Sequence, residues 1–461
     1  MKKGRHYSEE EINIISQSAI GKSFREIRDS ELVTIEDNKI QKGSMGGIIE
    51  EFLFGIEPNG ESEPDFIDAG IELKVTPYKK NKDGTLSAKE RLVLNMIDYM
   101  TEYKNEFFTS HFWFKNNRLE IMWYLHEENK DKLDFKITNE VLLDLSVSED
   151  IKQIEEDWNA IIKKIREGRA HEISEGDTMY LGACTKGANA NSKRKQPFSD
   201  ILAKNRAFCF KSSYMTQLVR KFIGDYSDVE KILSNTNQTF NEFVNNVINK
   251  YKGKTQKELM KLFNIESTAK SVNSIIISRM FGVKGNLNET EEFLKANIIS
   301  KTVRIEGNGR IKESMSFPAF KYMDLITQEW ETSDLREALE STKYLFFVFK
   351  KENDEYVFKG IKLWNMPELI IDTEVQTMWK RTVDTIKSGN IVKNISNGFR
   401  ETNFPGAAEN KVCHVRPHAR DAMDTYPLPI ADKLTGSTEY TKHCFWINNI
   451  YISEILKEFI D

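Results

Sequence analysis

Cysteine is scarce and scattered in this chain, at positions 184, 209, 413 and 444, with no Cys-x-x-Cys pair. That spacing excludes a cysteine zinc site and a dense disulfide framework, and it suits a reducing, cytoplasmic setting. Long apolar runs are missing as well. No window approaches the roughly 18 residues of a membrane span, and the basic opening MKKGRHYSEEEINIISQSAIG lacks the continuous apolar stretch of a signal peptide. The sequence therefore predicts a soluble, cytoplasmic protein with no membrane partner. An excess of positive charge is also absent, the formal net charge being −5. This argues against a protein basic all over, but a basic cleft can sit on an acidic body. Of the histidines, His6, His126, His171 and His443 form no ligand spacing and read as surface or core residues.

What is present is enough apolar material to fold. A chain of 461 residues, 39% hydrophobic and 11% aromatic, holds two or three domains with their own cores. Residues 62–80, SEPDFIDAGIELKVTPYKK, organise the reading. In IELKVTPY the apolar Ile71, Leu73 and Val75 alternate with Glu72, Lys74 and Thr76, the period of a half-buried strand. Glu72 and Lys74 then share one face, and Asp65 lies just upstream. Two carboxylates can hold a hard divalent cation through oxygens while the lysine sits beside an attacking water, which suits phosphodiester hydrolysis. A Glu-x-Lys on a strand equally describes a solvated face, so the triplet does not stand alone.

Along the chain, residues 8–20 predict an amphipathic helix capped by Ser8, and KGSMGGIIEEFLFG (42–55) a glycine-rich turn entering another helix. Asp83-Gly84 signals a hairpin returning through RLVLNMIDY. FWFKNNRLEIMWYL (112–125) reads as strand, residues 150–170 as helix, and AFCFKSSYMTQLVRKFI (207–223) as strand into helix. TMYLGACTKGANANSKRKQP (178–197) is the most basic loop. It is either a solvated turn or a surface where Lys186 meets phosphate and Asn189 a base edge. The expected class is mixed α/β.

After the polar stretch 224–240 the pattern restarts. FNEFVNNVINKYKGKTQKELMKLF (240–263) echoes SEEEINIISQSAIGKSFREIR, SIIISRMFG (274–282) echoes GIIEEFLFG, and CFWINNIYISEIL (444–456) echoes CFKSSYMTQLV. EFLKANIISKTV (292–303) lies over DFIDAGIELKVT (65–76) without a gap. This internal duplication predicts two like domains in tandem: 1–225, a linker at 226–239, and 240–461. Lys301 falls on Lys74, but Ile299 falls on Glu72 and Ser278 on Glu51, and only Asp65 keeps an acid, as Glu292. A site stripped of two carboxylates should not hold magnesium, so the second domain is expected to be catalytically silent.

Taken together, KGSMG, the helix bearing Glu50 and Glu51, SEPDF, AGIELK, TSHFWFK (109–115), YLGACTKGANA (180–190) and FCFKSSY resemble the MutH family of GATC-nicking endonucleases. They resemble still more its restriction-enzyme branch of the Sau-three-A-I type, and the likeness covers residues 1 to about 225. The resemblance implies a restriction-endonuclease-like central mixed sheet flanked by helices. Asp65 and Glu72 become the metal-holding acids and Lys74 the motif lysine. The family's helix glutamate falls on Glu51 counted from FLFG and on Glu50 counted from KGSMG; the alignment of the second copy favours Glu51. Lys42 and Lys115 match family lysines that face DNA. The mismatch-repair member's Arg-Pro-Lys is replaced here by Cys184-Thr185-Lys186, while the Arg-Pro pair appears in the second copy as Arg416-Pro417-His418. Arg416 is then either a guanine reader or a plain surface arginine. Cys209 stands where the mismatch-repair member has a tyrosine against adenine, which leads to the expectation that adenine methylation is tolerated.

The expectation that follows is a type II restriction endonuclease recognising double-stranded GATC. It would use Mg2+ to hydrolyse both strands to 5′-phosphates, as a monomer or as a dimer assembling on DNA. The second domain would bind another GATC copy and activate the first. The competing readings are a GATC-specific repair nickase and a DNA-binding protein with a vestigial nuclease fold.

Overall fold

The computed structural model describes residues 6–29, 45–57, 63–186, 192–224, 229–234, 238–267, 272–396 and 399–460. Contacts divide the chain into two compact units. The first is Met1–Phe240 with Glu289–Asn297, and the second is Asn241–Asn288 with Ile298–Asp461.

In the first unit the strands are β1 (Glu72–Lys80), β2 (Leu86–Ala88), β3 (Leu92–Met96), β4 (Arg118–Leu125), β5 (Ile137–Asp144), β6 (Leu181–Thr185), β7 (Lys193–Gln196), β8 (Ser199–Lys204) and β9 (Arg206–Phe210). The central mixed sheet runs β2-β1-β4-β5, a second sheet runs β3-β9-β6, and β7-β8 form a hairpin. β1 lies parallel to β4, Glu72 opposite Leu119 and Lys74 opposite Ile121. The alternation in IELKV does what period two requires: Ile71 and Leu73 enter the core with Phe54, Phe66 and Met122, leaving Glu72 and Lys74 for the other face. Helix Glu9–Ala19 has the expected Ser8 capping box, and the turn between β1 and β2 is made by Asp83 accepting from Thr85 N at 3.0 Å with Gly84 at φ 88°.

Two local readings are corrected. Residues 112–116 are not strand: His111–Asn116 is a helix whose Ser110 cap accepts from Trp113 N, and the strand begins only at Arg118. Short apolar runs carry no period of their own, so a capping serine decides between helix and strand. RLVLNM does not continue the β1–β2 hairpin but leaves it as β3, pairing with β9 in the second sheet.

The second unit repeats the plan with β10 (Ile298–Ile305), β11 (Met315–Phe320), β12 (Lys343–Glu352), β13 (Glu355–Trp364), β14 (Val392–Ser396), β15 (Phe399–Thr402), β16 (Cys413–Pro417), β17 (Thr425–Pro427), β18 (Glu439–Thr441) and β19 (His443–Ile447). Its order β10-β12-β13 matches β1-β4-β5, with β10 parallel to β12, and β11-β19-β16 matches β3-β9-β6. Its own core gathers Val303, Phe346, Trp379 and Phe445. Among the described residues no helix is long and apolar enough to cross a membrane.

Candidate active site

Glu72 is nearly buried on β1, and its position is over-determined. Lys74 Nζ donates to Oε1 at 2.7 Å, while Lys115 Nζ lies 3.3 Å from Oε2. The backbone N–H of Asp65 donates to the same Oε2 at 3.2 Å. Asp65 in turn accepts from Leu73 N at 3.0 Å, so the loop carrying it is stitched to the strand carrying Glu72. These residues line one cleft of about 500 Å³ together with Glu50, Glu57, Asn95, Asp98, Glu102 and His111. Burial, and then the charge of Glu72, push the Asp65 carboxyl up to about 7; the bond from Leu73 and the two lysines oppose the rise. Glu50 is also raised, by burial first. Carboxylates crowded until one resists ionisation create the field that a bound cation relieves. Among the described residues no three acids, histidines or cysteines converge as a ready-made cage. Two carboxylates are nevertheless the set that magnesium commonly takes from protein, the rest of its sphere being water and phosphate. Asp65 and Glu72 therefore fit a divalent cation.

The helix glutamate differs from the expectation. Glu51 is exposed, and Glu50 is the one that lines the cleft. The cause is a π-helical turn at Ile49–Leu53, in which Phe54 N reaches back to Ile49 O. The residue after each glycine measures the slip. Ile56 N donates to Glu50 O, whereas in the second unit Val283 N donates to Ser278 O, one residue fewer. Glu50, not Glu51, is thus the counterpart of Ser278. The inserted residue explains why counting from KGSMG and counting from FLFG disagree by one.

Other expected site residues scatter. Lys115, on helix His111–Asn116, joins the cleft and also donates to Glu63 O at 2.7 Å. Lys42 and Asn189 fall outside the described residues. Lys186 is exposed just past β6, its N–H bonded to Asn205 O, and is not among the residues lining the cleft. Cys209 is fully buried on β9 opposite Gly182 and packs with Cys184, both cysteines being free. It is not exposed at the surface, because β9 is covered on both faces. Arg416 lies on strand β16 rather than in a loop, exposed, with its guanidinium 3.6 Å from the Trp446 ring centroid; His418 meets the same ring edge-on at 5.6 Å.

Glu292 does not reproduce Asp65 either. It sits on helix Glu291–Ala296 and accepts from Ile232 N and Leu233 N at 3.0 and 2.9 Å. Among the described residues Lys301 has no carboxylate partner, and burial alone pulls its ammonium below the ordinary lysine range.

Sequence reasoning passed over Glu102 and His111, although TSHFWFK held the signal: a serine cap that turns the next residue out of strand alternation.

Residues 54–157 match the family model of the DNA mismatch repair enzyme MutH, a span holding Asp65, Glu72, Lys74 and Lys115. The chain is also 37% identical over 483 aligned residues to the type II restriction enzyme Sau3AI of Staphylococcus aureus, covering 96% of this chain and 97% of that one. The chain belongs to the MutH-like, Sau3AI-type family of type II restriction endonucleases. It is therefore a site-specific deoxyribonuclease, and DNA is its partner. Glu50 lies just before the matched span, where the π-helical turn shifts the register.

Proposed function

We propose that this nuclease recognises GATC in double-stranded DNA and hydrolyses both strands with Mg2+, leaving 5′-phosphates. The observation that carries the reading is the convergence of Asp65, Glu72 and Lys74 in one cleft, held by bonds of 2.7–3.2 Å. Among the described residues six carboxylate side chains line that cleft, from Glu50, Glu57, Asp65, Glu72, Asp98 and Glu102, against the cations of Lys74 and Lys115. A phosphodiester does not enter such a field without added positive charge. Asp65 and Glu72 would hold a magnesium ion, which when bound would supply that charge and Lewis-acid chemistry toward phosphate and water. Lys74, already tethered to Glu72, orients that water and screens the charge that builds on the phosphate. Lys115 braces the other oxygen of Glu72, and Glu50 closes the inner wall.

The second unit is proposed to be non-catalytic and to bind a further GATC copy that activates the first. Ser278 stands for Glu50, Ile299 for Glu72, and Lys301 has no acid beside it among the described residues. The exposed Arg416 stacked on Trp446 offers it a DNA contact.

A digest of a plasmid carrying GATC sites, with and without Mg2+, tests the reading. Linear product only with the metal is expected. A nicked circle supports a nickase, and intact plasmid a binding protein.

A further inference from the structure

The cleft contains a second constellation beside the acid-acid-lysine set. Glu102 is almost completely buried, with its side chain 2% exposed, yet it is not idle. Its Oε2 lies 2.8 Å from His111 Nδ1, and its Oε1 accepts from Phe112 N at 3.3 Å and from Trp158 Nε1 at 3.4 Å. A buried carboxylate bonded this way fixes Nδ1 as the donor and sets the ring plane, so the other nitrogen is the one left to face the cleft. Among the described residues Nε2 has no protein partner. Exposure separates the cleft's basic groups. Lys74 and Lys115 are committed to Glu72 and only 16% and 14% exposed, whereas the His111 side chain is 53% exposed. An incoming phosphate therefore meets His111 as the accessible donor.

We propose that His111 is a substrate-contacting residue, donating from Nε2–H to a non-bridging oxygen of a phosphate adjacent to the one being cut, with Glu102 as its positioning residue. With Nδ1–H on Glu102 and Nε2–H on the phosphate, the ring bridges two anions, and hydrogen bonds to charged acceptors are the strong ones. The contact makes and breaks no covalent bond of the substrate. The contact sets register along the strand, which is the task of phosphate contacts. This rests on the reading that the cleft cuts DNA.

The experiment uses the full chain and a GATC duplex in which single phosphates are replaced, one at a time, by uncharged methylphosphonates. Single-turnover cleavage is followed for wild type, His111→Ala and His111→Gln, with circular dichroism to establish folding. The wild type is expected to lose about 10- to 100-fold in rate at one adjacent phosphate, and His111→Ala to lose about as much on unmodified DNA. At that phosphate His111→Ala should lose nothing more. Glu102→Gln, which keeps an acceptor but not the charge, should show the same signature in weakened form. Equal losses for wild type and variant at every phosphate overturn the proposal, as does a His111→Ala enzyme that cuts unmodified DNA at the wild-type rate. If the wild type leaves the unmodified duplex intact under Mg2+, the reading of a Mg2+-dependent cut at GATC fails, and the proposal with it.

Discussion

At the scale of single residues, Asp65 is held where it is least comfortable. Its carboxyl, raised from 3.8 to about 7, favours the protonated form in the folded protein. A carboxyl with a raised folded value contributes stability that is complete below its unfolded value and is lost as pH rises through the folded one. The cation-free protein should therefore become less stable between about pH 4 and 7 on account of this residue. Asp65→Asn is predicted to stabilise it at pH 8 by on the order of 1–3 kcal/mol, measured by urea denaturation in chelator, while DNA cleavage disappears. Cation binding needs the ionised form. Thermal-shift titrations with Mg2+ should accordingly show tighter binding at pH 8 than at pH 6, and equal affinities would sink Asp65 as a ligand. A second comparison separates the two helix glutamates. Glu50→Gln should slow single-turnover cutting by about tenfold or more, and Glu51→Gln should leave it near wild type; the reverse order would return the assignment to Glu51.

At the scale of elements, each strand serves two faces. β4 lines the core with Ile121 and Trp123 but also buries Glu120, whose Oε1 has no hydrogen-bond partner among the described residues. Burial pushes Glu120 up to about 7, and the nearby charge of Glu140 adds to the rise. Its stabilising protonated form is lost between its unfolded value of 4.5 and about 7. Glu120→Gln should therefore gain nothing at acid pH and about 1–2 kcal/mol at pH 8, read from paired urea melts at the two pH values. An equal gain at both would show that the carboxyl's charge is not what costs stability. The legibility of elements follows the same physics. Strand β1 could be read because Ile71 and Leu73 alternate with Glu72 and Lys74, and helix Glu9–Ala19 because Ser8 and Glu11 form a capping box. Helix His111–Asn116 was hidden by the apolar content of FWF. The π-helical turn was hidden because backbone hydrogen bonds, not side-chain types, place it. Of the cleft, the strand acids were legible and His111 was not, since its role depends on Glu102 bonding to it from outside its own helix.

At the scale of the whole molecule, one cleft carries the acids and its counterpart does not. The full chain bearing Asp65→Ala should therefore produce neither linear nor nicked plasmid under Mg2+. A nicked circle would mean that the second unit cuts. The partition of the chain also bears on how the first unit can be obtained alone. It ends at Phe240 yet takes back Glu289–Asn297. That returning helix is fastened by Lys295 Nζ at 2.6 Å from Asp150 and by Glu292 on the amides of Ile232 and Leu233. Any chain terminated between residues 240 and 289 would carry Asp65, Glu72 and Lys74 but lack a helix of its own unit. A message broken in that interval would therefore encode a nuclease unit without one of its own helices.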